Sequence, residues 1–162
     1  VIEMDVCSCS NFELKSSKKL EILTKDTSRK EEKDRIFGYL LTIDLYGIES
    51  SRCDDLRLGY DFLDKLPCYL GMNKQSLPHI YATPAEWIGK GGLSGWVGIV
   101  ESGIQLHTLS DEGFVSIDMY TCSYLDQSMV PKILEFVHKY YPYKDVETNF
   151  VKRGLKNYQN GK

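Results

Sequence analysis

Residues 94–122 read SGWVGIVESGIQLHTLSDEGFVSIDMYTC. Ser94–Ser102 is rich in Val, Ile and Gly and reads as a strand, Gln105–Leu109 as the next, and Phe114–Thr121 as a third. Gly103 and the turn Ser110–Gly113 are the expected breaks between them. From Phe114 onward, Val115, Ile117 and Met119 share one face, while Ser116, Asp118, Tyr120 and Cys122 share the other. The second face therefore turns a thiol toward something polar. The same stretch carries the Ser94 hydroxyl, the Glu101–Ser102 pair, the His107 imidazole and the Asp111 carboxylate. A sheet core gains nothing from a serine, a histidine and a cysteine, so these groups need another reason.

Outward from this stretch the chain keeps one rhythm. GYLLTIDLY at 38–46 is a strand with Leu41, Ile43 and Leu45 on one face. Leu56, Tyr60, Leu63 and Leu66 recur at helical spacing within 54–70, capped by Ser50, Ser51 or Asp54, with Pro67 expected to end or kink the helix near its last turn. HIYAT at 79–83 is a short strand, followed by an irregular loop through Pro84 and the glycines at 89, 91 and 92. GKGG in that loop lacks the spacing of a phosphate-binding loop. Gln127–Tyr140 is an amphipathic helix stopped by Pro142, and Asp145–Val151 a last strand. This order predicts an α+β fold: a mostly antiparallel sheet with helices packed on one face.

The 162 residues favour a single domain at 36–154, with a charged extension at 1–35 and a short tail at 155–162. A net charge of −3 gives no basic surface for nucleic acid. No apolar run approaches the roughly 20 residues that cross a bilayer, and the N-terminus lacks the order of a signal peptide, so the expectation is a cytoplasmic protein with no membrane partner. Five scattered cysteines do not form a disulfide framework. Cys7-x-Cys9 lacks further ligands at short spacing, so no metal is expected. Cys53 reads as a helix-end residue and Cys68 as a core thiol.

Four pieces, L-S-G at 93–95, E-S at 101–102, H-T at 107–108 and the block Gly113–Ile117–Asp118–Thr121–Cys122, resemble the S-adenosylmethionine decarboxylase family in its short prokaryotic form. Ser94, Ser102, His107 and Cys122 follow one another at intervals of eight, five and fifteen residues without a gap. Each piece alone is weak; the four in order and spacing are specific.

The resemblance implies a pyruvoyl-dependent decarboxylase of polyamine (spermidine) synthesis, made as a proenzyme. Decarboxylation at an amino acid's Cα needs an electron sink, which protein side chains lack. A pyruvoyl group derived from Ser102, joined to the substrate amine as a Schiff base, supplies it. By resemblance the chain is cut between Glu101 and Ser102, His107 and Ser94 assist that processing, and Cys122 returns a proton to the substrate as an intact thiol buried near the site. Asp111 falls where the family binds the substrate ribose. Ile88 stands at the family's usual aromatic position for the adenine, with Trp87 beside it as a possible replacement. Asp44 falls where an acid is common in the first strand, as a surface acid or a structural one. The family form buries its open sheet face against a second subunit, implying a homodimer of processed chains.

Departures concentrate on the substrate side: Ile88, Leu109 and Ser110 replace an aromatic residue, a tryptophan and a proline, and Tyr39–Leu40 stand where a histidine is usual. The alternatives are therefore a pyruvoyl-dependent arginine or ornithine decarboxylase on the same scaffold, and an uncleaved regulatory or binding paralogue.

Overall fold

The computed structural model describes residues 36–156. The extension 1–35, with Cys7 and Cys9, and the end of the tail lie outside the described residues.

Strand β1 (Gly38–Tyr46) is followed by the short helix α1 (Ser50–Cys53) and by α2 (Leu56–Tyr69). Then come β2 (His79–Ala82), β3 (Leu93–Ile99), β4 (Ser102–Leu109) and β5 (Phe114–Thr121). A 3-10 turn at Gln127–Met129 leads into α3 (Val130–Tyr140), and β6 (Asp145–Arg153) closes the fold. The six strands form one sheet in the order β2-β3-β4-β5-β1-β6, every neighbouring pair antiparallel.

The period-two pattern decides what each strand buries. Leu41, Ile43 and Leu45 of β1, Val97 and Ile99 of β3, Ile104 and Leu106 of β4, and Val115, Ile117 and Met119 of β5 are all buried on one face. The helices cover that face with Phe62, Leu63 and Leu66 from α2, and Ile133, Phe136 and Val137 from α3. Phe62 meets Phe136 and Tyr141 through ring contacts at 6.1 and 5.5 Å between centroids.

α2 starts at the Asp55 cap, whose carboxylate accepts the Leu58 N–H at 2.9 Å. Pro67 lies inside its last turn without ending it; the helix runs two residues further. The stop is Gly71, whose φ of 70° only glycine adopts freely. There the Gly71 N–H donates to the Cys68 carbonyl and the Met72 N–H to the Pro67 carbonyl. Cys53 closes α1, the helix-end place expected of it, and is fully buried, whereas Cys68, expected in the core, is only half-buried. Burial pushes the Cys53 thiol up to about 11.

Among the described residues, no helix covers the opposite face of the sheet. Across it the register aligns Tyr81, Ser94, His107, Ser116, Asp44 and Glu147 in one row. The next row aligns His79, Trp96, Gln105, Asp118, Thr42 and Asn149.

Candidate active site

The β3–β4 connection is a two-residue hairpin, Val100–Glu101, not the break at Gly103 that the sequence suggested. Gly103 is inside β4, paired with Gly98. Hairpins this tight favour positive φ in the loop itself, usually at Gly or Asn. Among the described non-glycine residues only Ser102, just after the loop, has positive φ, at 145°. A Cβ makes that conformation costly, on the order of 1–3 kcal/mol. Backbone strain thus sits on the residue that follows the Glu101–Ser102 peptide bond.

The Glu101 carbonyl is fixed from the neighbouring strand. Cys122, one residue beyond β5, donates its backbone N–H to that oxygen at 2.8 Å. Ser102 itself pairs with Ile99 on one side and Thr121 on the other. Ser102 is exposed and borders an open cleft of about 440 Å³, lined also by Trp96, Gly98, Gln105, Asp118 and Tyr120. The Arg153 guanidinium lies 4.8 Å from the centre of the Tyr120 ring. Cys122, expected as a buried thiol, is exposed in the single chain, because it follows the end of β5 on a face that no other described element covers.

Ser94 and His107 form a second group. They are register partners on β3 and β4, with Ser94 Oγ 2.9 Å from His107 Nδ1. Thr108 pins the strands beneath them: its hydroxyl donates to the Cys53 carbonyl at 2.6 Å and accepts the Leu93 N–H at 2.7 Å. Next to it, Gly92 is required by close approach, since a Cβ there would lie 2.1 Å from the Thr108 carbonyl oxygen. The threonine of the H-T pair is therefore a buried structural residue.

The two groups do not meet within one chain. Ser102 and His107 are five residues apart on the straight strand β4, which separates their Cα atoms by about 16 Å at ~3.3 Å per residue. Glu101, Ser102 and Cys122 lie at one end of the strands, and Ser94 and His107 toward the other. Trp87 and Ile88 lie in the β2–β3 loop and Asp111 in the β4–β5 turn, at the His107 end; all three are exposed, Ile88 by 94% and Trp87 by 63%. The loops carrying them are tied by the Ser110 N–H, which donates to the Gly91 carbonyl.

Asp44 sits in the open-face row, directly opposite Glu147 and diagonal to Asp118. Partial burial, then Asp118 and Glu147, raise its carboxyl above the ordinary value. Among the described residues no group of three or more His, Cys, Asp or Glu side chains could hold a metal ion. Trp96 and Gln105 were not singled out in the sequence, and Tyr120 was placed only on the polar face of its strand. Their alternation with buried neighbours puts them on the same face as Asp118, but only cross-strand register brings them to Ser102.

A six-stranded antiparallel sheet with helices on one face, and this spacing of Ser94, Ser102, His107 and Cys122, define a class that the comparisons identify. The family profile described as S-adenosylmethionine decarboxylase matches residues 39–154. The S-adenosylmethionine decarboxylase proenzyme of Persephonella marina is 26% identical over 75% of this chain and 85% of its own. That of Clostridium botulinum is 30% identical over 72% of this chain and 94% of its own. The crystal structure of the adenosylmethionine decarboxylase from Aquifex aeolicus matches with a TM-score of 0.62 at 24% identity, covering 74% of this chain and 92% of that one, a likeness of fold. The chain belongs to the S-adenosylmethionine decarboxylase family. The members of that family are pyruvoyl-dependent decarboxylases.

Proposed function

We propose that residues 36–154 form a self-processing decarboxylase that cleaves its own chain between Glu101 and Ser102 and acts on S-adenosylmethionine in spermidine synthesis. The observation that carries this reading is the strained Ser102 beside a Glu101 carbonyl that already accepts a backbone N–H. Attack of Ser102 Oγ on that carbonyl carbon forms a C–O bond and moves negative charge onto the oxygen. The Cys122 N–H, aimed at it, stabilises that charge. Breaking the C–N bond converts the amide to an ester and frees the Ser102 nitrogen. Loss of the Ser102 Cα proton then expels the Glu101 carboxylate, which leaves dehydroalanine. One water enters and one ammonia leaves to give the pyruvoyl terminus.

Ser102 at the cleft mouth fits such a group: it is exposed, and the glycine pair Gly98–Gly103 beside it leaves room. Once formed, the pyruvoyl supplies the electron sink for loss of carbon dioxide. The Cys122 thiol, exposed next to Thr121, the register partner of Ser102, would return the proton to the substrate Cα.

The proton transfers of processing fall to His107, oriented by Ser94. The span of about 16 Å along β4 means that the imidazole of one chain cannot serve its own Ser102. A homodimer joined through the helix-free faces solves this, with Glu101, Ser102 and Cys122 from one copy and Ser94 and His107 from the other. Trp87, Ile88 and Asp111 then come with His107 toward the partner's Ser102, where they would meet the adenosyl part of the substrate. No helix of the described residues is long and apolar enough to cross a membrane, and we assign the enzyme to the cytoplasm, with neither membrane nor nucleic acid as partner.

A second reading has its own support. Asp118 and Trp96 line the Ser102 cleft, and a carboxylate beside a ring suits a guanidinium or ammonium group, hence arginine or ornithine. An uncleaved paralogue would have no use for the strained serine. Carbon dioxide release, measured side by side from S-adenosylmethionine, arginine and ornithine, tests the substrate. Saturable turnover of the adenosyl substrate alone is expected. Turnover of arginine or ornithine with none of S-adenosylmethionine would overturn the choice.

A further inference from the structure

The Glu101 side chain is held by a segment that plays no part in the reading so far. Residues 72–76 leave the C-terminal end of α2 and run along the end of β3. The Gln75 N–H donates to the Gly98 carbonyl at 2.8 Å, and Ser76 Oγ accepts the Gly98 N–H at 3.0 Å. Asn73 reaches the hairpin itself. Its carbonyl accepts the Val100 N–H at 2.8 Å. Its backbone N–H donates to Glu101 Oε2 at 3.3 Å, and its side-chain amide donates to Glu101 Oε1 at 3.4 Å. The segment is fastened to the helix layer by the Met72 N–H on Pro67 and by the largely buried ion pair of Lys74 with Asp64.

From this geometry we propose that Asn73 is a positioning residue for chain cleavage, clamping Glu101 so that the strain of the hairpin falls on Ser102. The proposal rests on the self-processing reading above. Glu101 is gripped at three points: Val100 ahead of it by the Asn73 carbonyl, its carboxylate by Asn73, and its own carbonyl by the Cys122 N–H. With the Val100 N–H, the Glu101 carboxylate and the Glu101 carbonyl all held, the two loop residues have little freedom to share the distortion of the hairpin. The next rotatable residue is Ser102, and there the positive φ appears. Without the Asn73 grip, Glu101 and Val100 can relax and Ser102 can return to ordinary strand geometry. That relaxation lowers the energy of the uncleaved chain and swings Oγ away from the carbonyl, so the first step slows. The clamp also bears on the product, since after cleavage Glu101 becomes a chain end and only these bonds keep it beside Ser102.

The test follows cleavage of freshly made full-length chain by intact mass against time, with the unfolding midpoint of each variant measured alongside. Asn73→Ala is expected to cleave at least threefold more slowly, the scale of a lost weak hydrogen-bond pair. Asn73→Asp sets two carboxylates against each other and should be slower still. Asn73→Asp combined with Glu101→Gln restores an amide–carboxylate pair with the roles exchanged and should recover most of the loss, which a packing role would not do. Wild-type cleavage rates in Asn73→Ala, or a double variant no faster than Asn73→Asp, would overturn the proposal. If Asn73→Ala does not fold, the exchange carries the test; if that too fails to fold, Asn73 is a structural residue and the proposal falls. A wild-type chain that never cleaves removes the self-processing reading and the clamp with it, an outcome distinct from cleavage that ignores Asn73.

Discussion

Ser102 combines two properties that are seldom found together, a nucleophilic hydroxyl and a backbone φ of 145°. The strain can be measured without any chemistry. Neither Ser102→Ala nor Ser102→Gly can cleave, so both report the stability of the intact chain. Glycine adopts positive φ freely but costs up to about 1 kcal/mol in chain entropy, against strain of about 1–3 kcal/mol that it removes. Ser102→Gly should therefore be more stable than Ser102→Ala by about 1 kcal/mol in urea unfolding. A glycine variant that is the less stable of the two would show that Ser102 is not strained. Ser102 was legible in the sequence as a candidate nucleophile, through its place between Ser94 and His107. Its strain was not, because it arises from how Val100 and Glu101 are held by Asn73 and Cys122, residues that are distant along the chain.

At the scale of strands and helices, the alternation of apolar residues in β1 and β5 and the helical stripes of α2 and α3 could be read directly, since period and packing agree there. The β3–β4 boundary could not: Gly103 looks like a break, yet as the partner of Gly98 it lies within the ladder. Thr108 shows a second limit, because it reads as part of a reactive motif while its hydroxyl joins α1 to β3. Thr108→Val keeps the volume and leaves the Leu93 N–H and the Cys53 carbonyl unpaired in the core. It should cost about 2 kcal/mol in denaturant unfolding; a loss below the error of the measurement would mean that water or a shifted backbone replaces the hydroxyl. The open-face row makes a pH prediction. The raised Asp44 carboxyl means that its charged form is disfavoured by folding, through burial first and then Asp118 and Glu147. Its contribution to stability is favourable below the ordinary carboxyl value of about 4 and is lost as pH rises through the higher folded value. Asp44→Asn should thus stabilise the chain at pH 7 by a few tenths to about 1 kcal/mol, the scale of opposed cross-strand charges, and the gain should vanish near pH 3. An equal effect at both pH values would assign it to packing.

For the whole molecule, the decisive length is the span of β4. It holds the Ser94–His107 pair about 16 Å from Ser102, so the proposed mechanism needs two copies for a complete site. The intervals in the sequence record all four residues but not that they divide into two groups; strand geometry supplies that. Two variants, each unable to process itself, test the division. Chains carrying His107→Ala and chains carrying Ser102→Ala should each stay whole. When the two are co-expressed, the His107→Ala chains should be cut, because a mixed dimer unites an intact Ser102 with an intact His107. Persistence of whole His107→Ala chains in proven mixed dimers would place the two groups in one copy or remove His107 from processing.

The central claim is cleavage between Glu101 and Ser102, and intact mass spectrometry of the purified chain tests it most directly. The account predicts two fragments, residues 1–101 and 102–162, the second beginning with a pyruvoyl group in place of serine, with one water gained and one ammonia lost overall. A single uncut chain of 18.6 kDa after prolonged incubation, or a cut that leaves a free serine amine at residue 102, would contradict it.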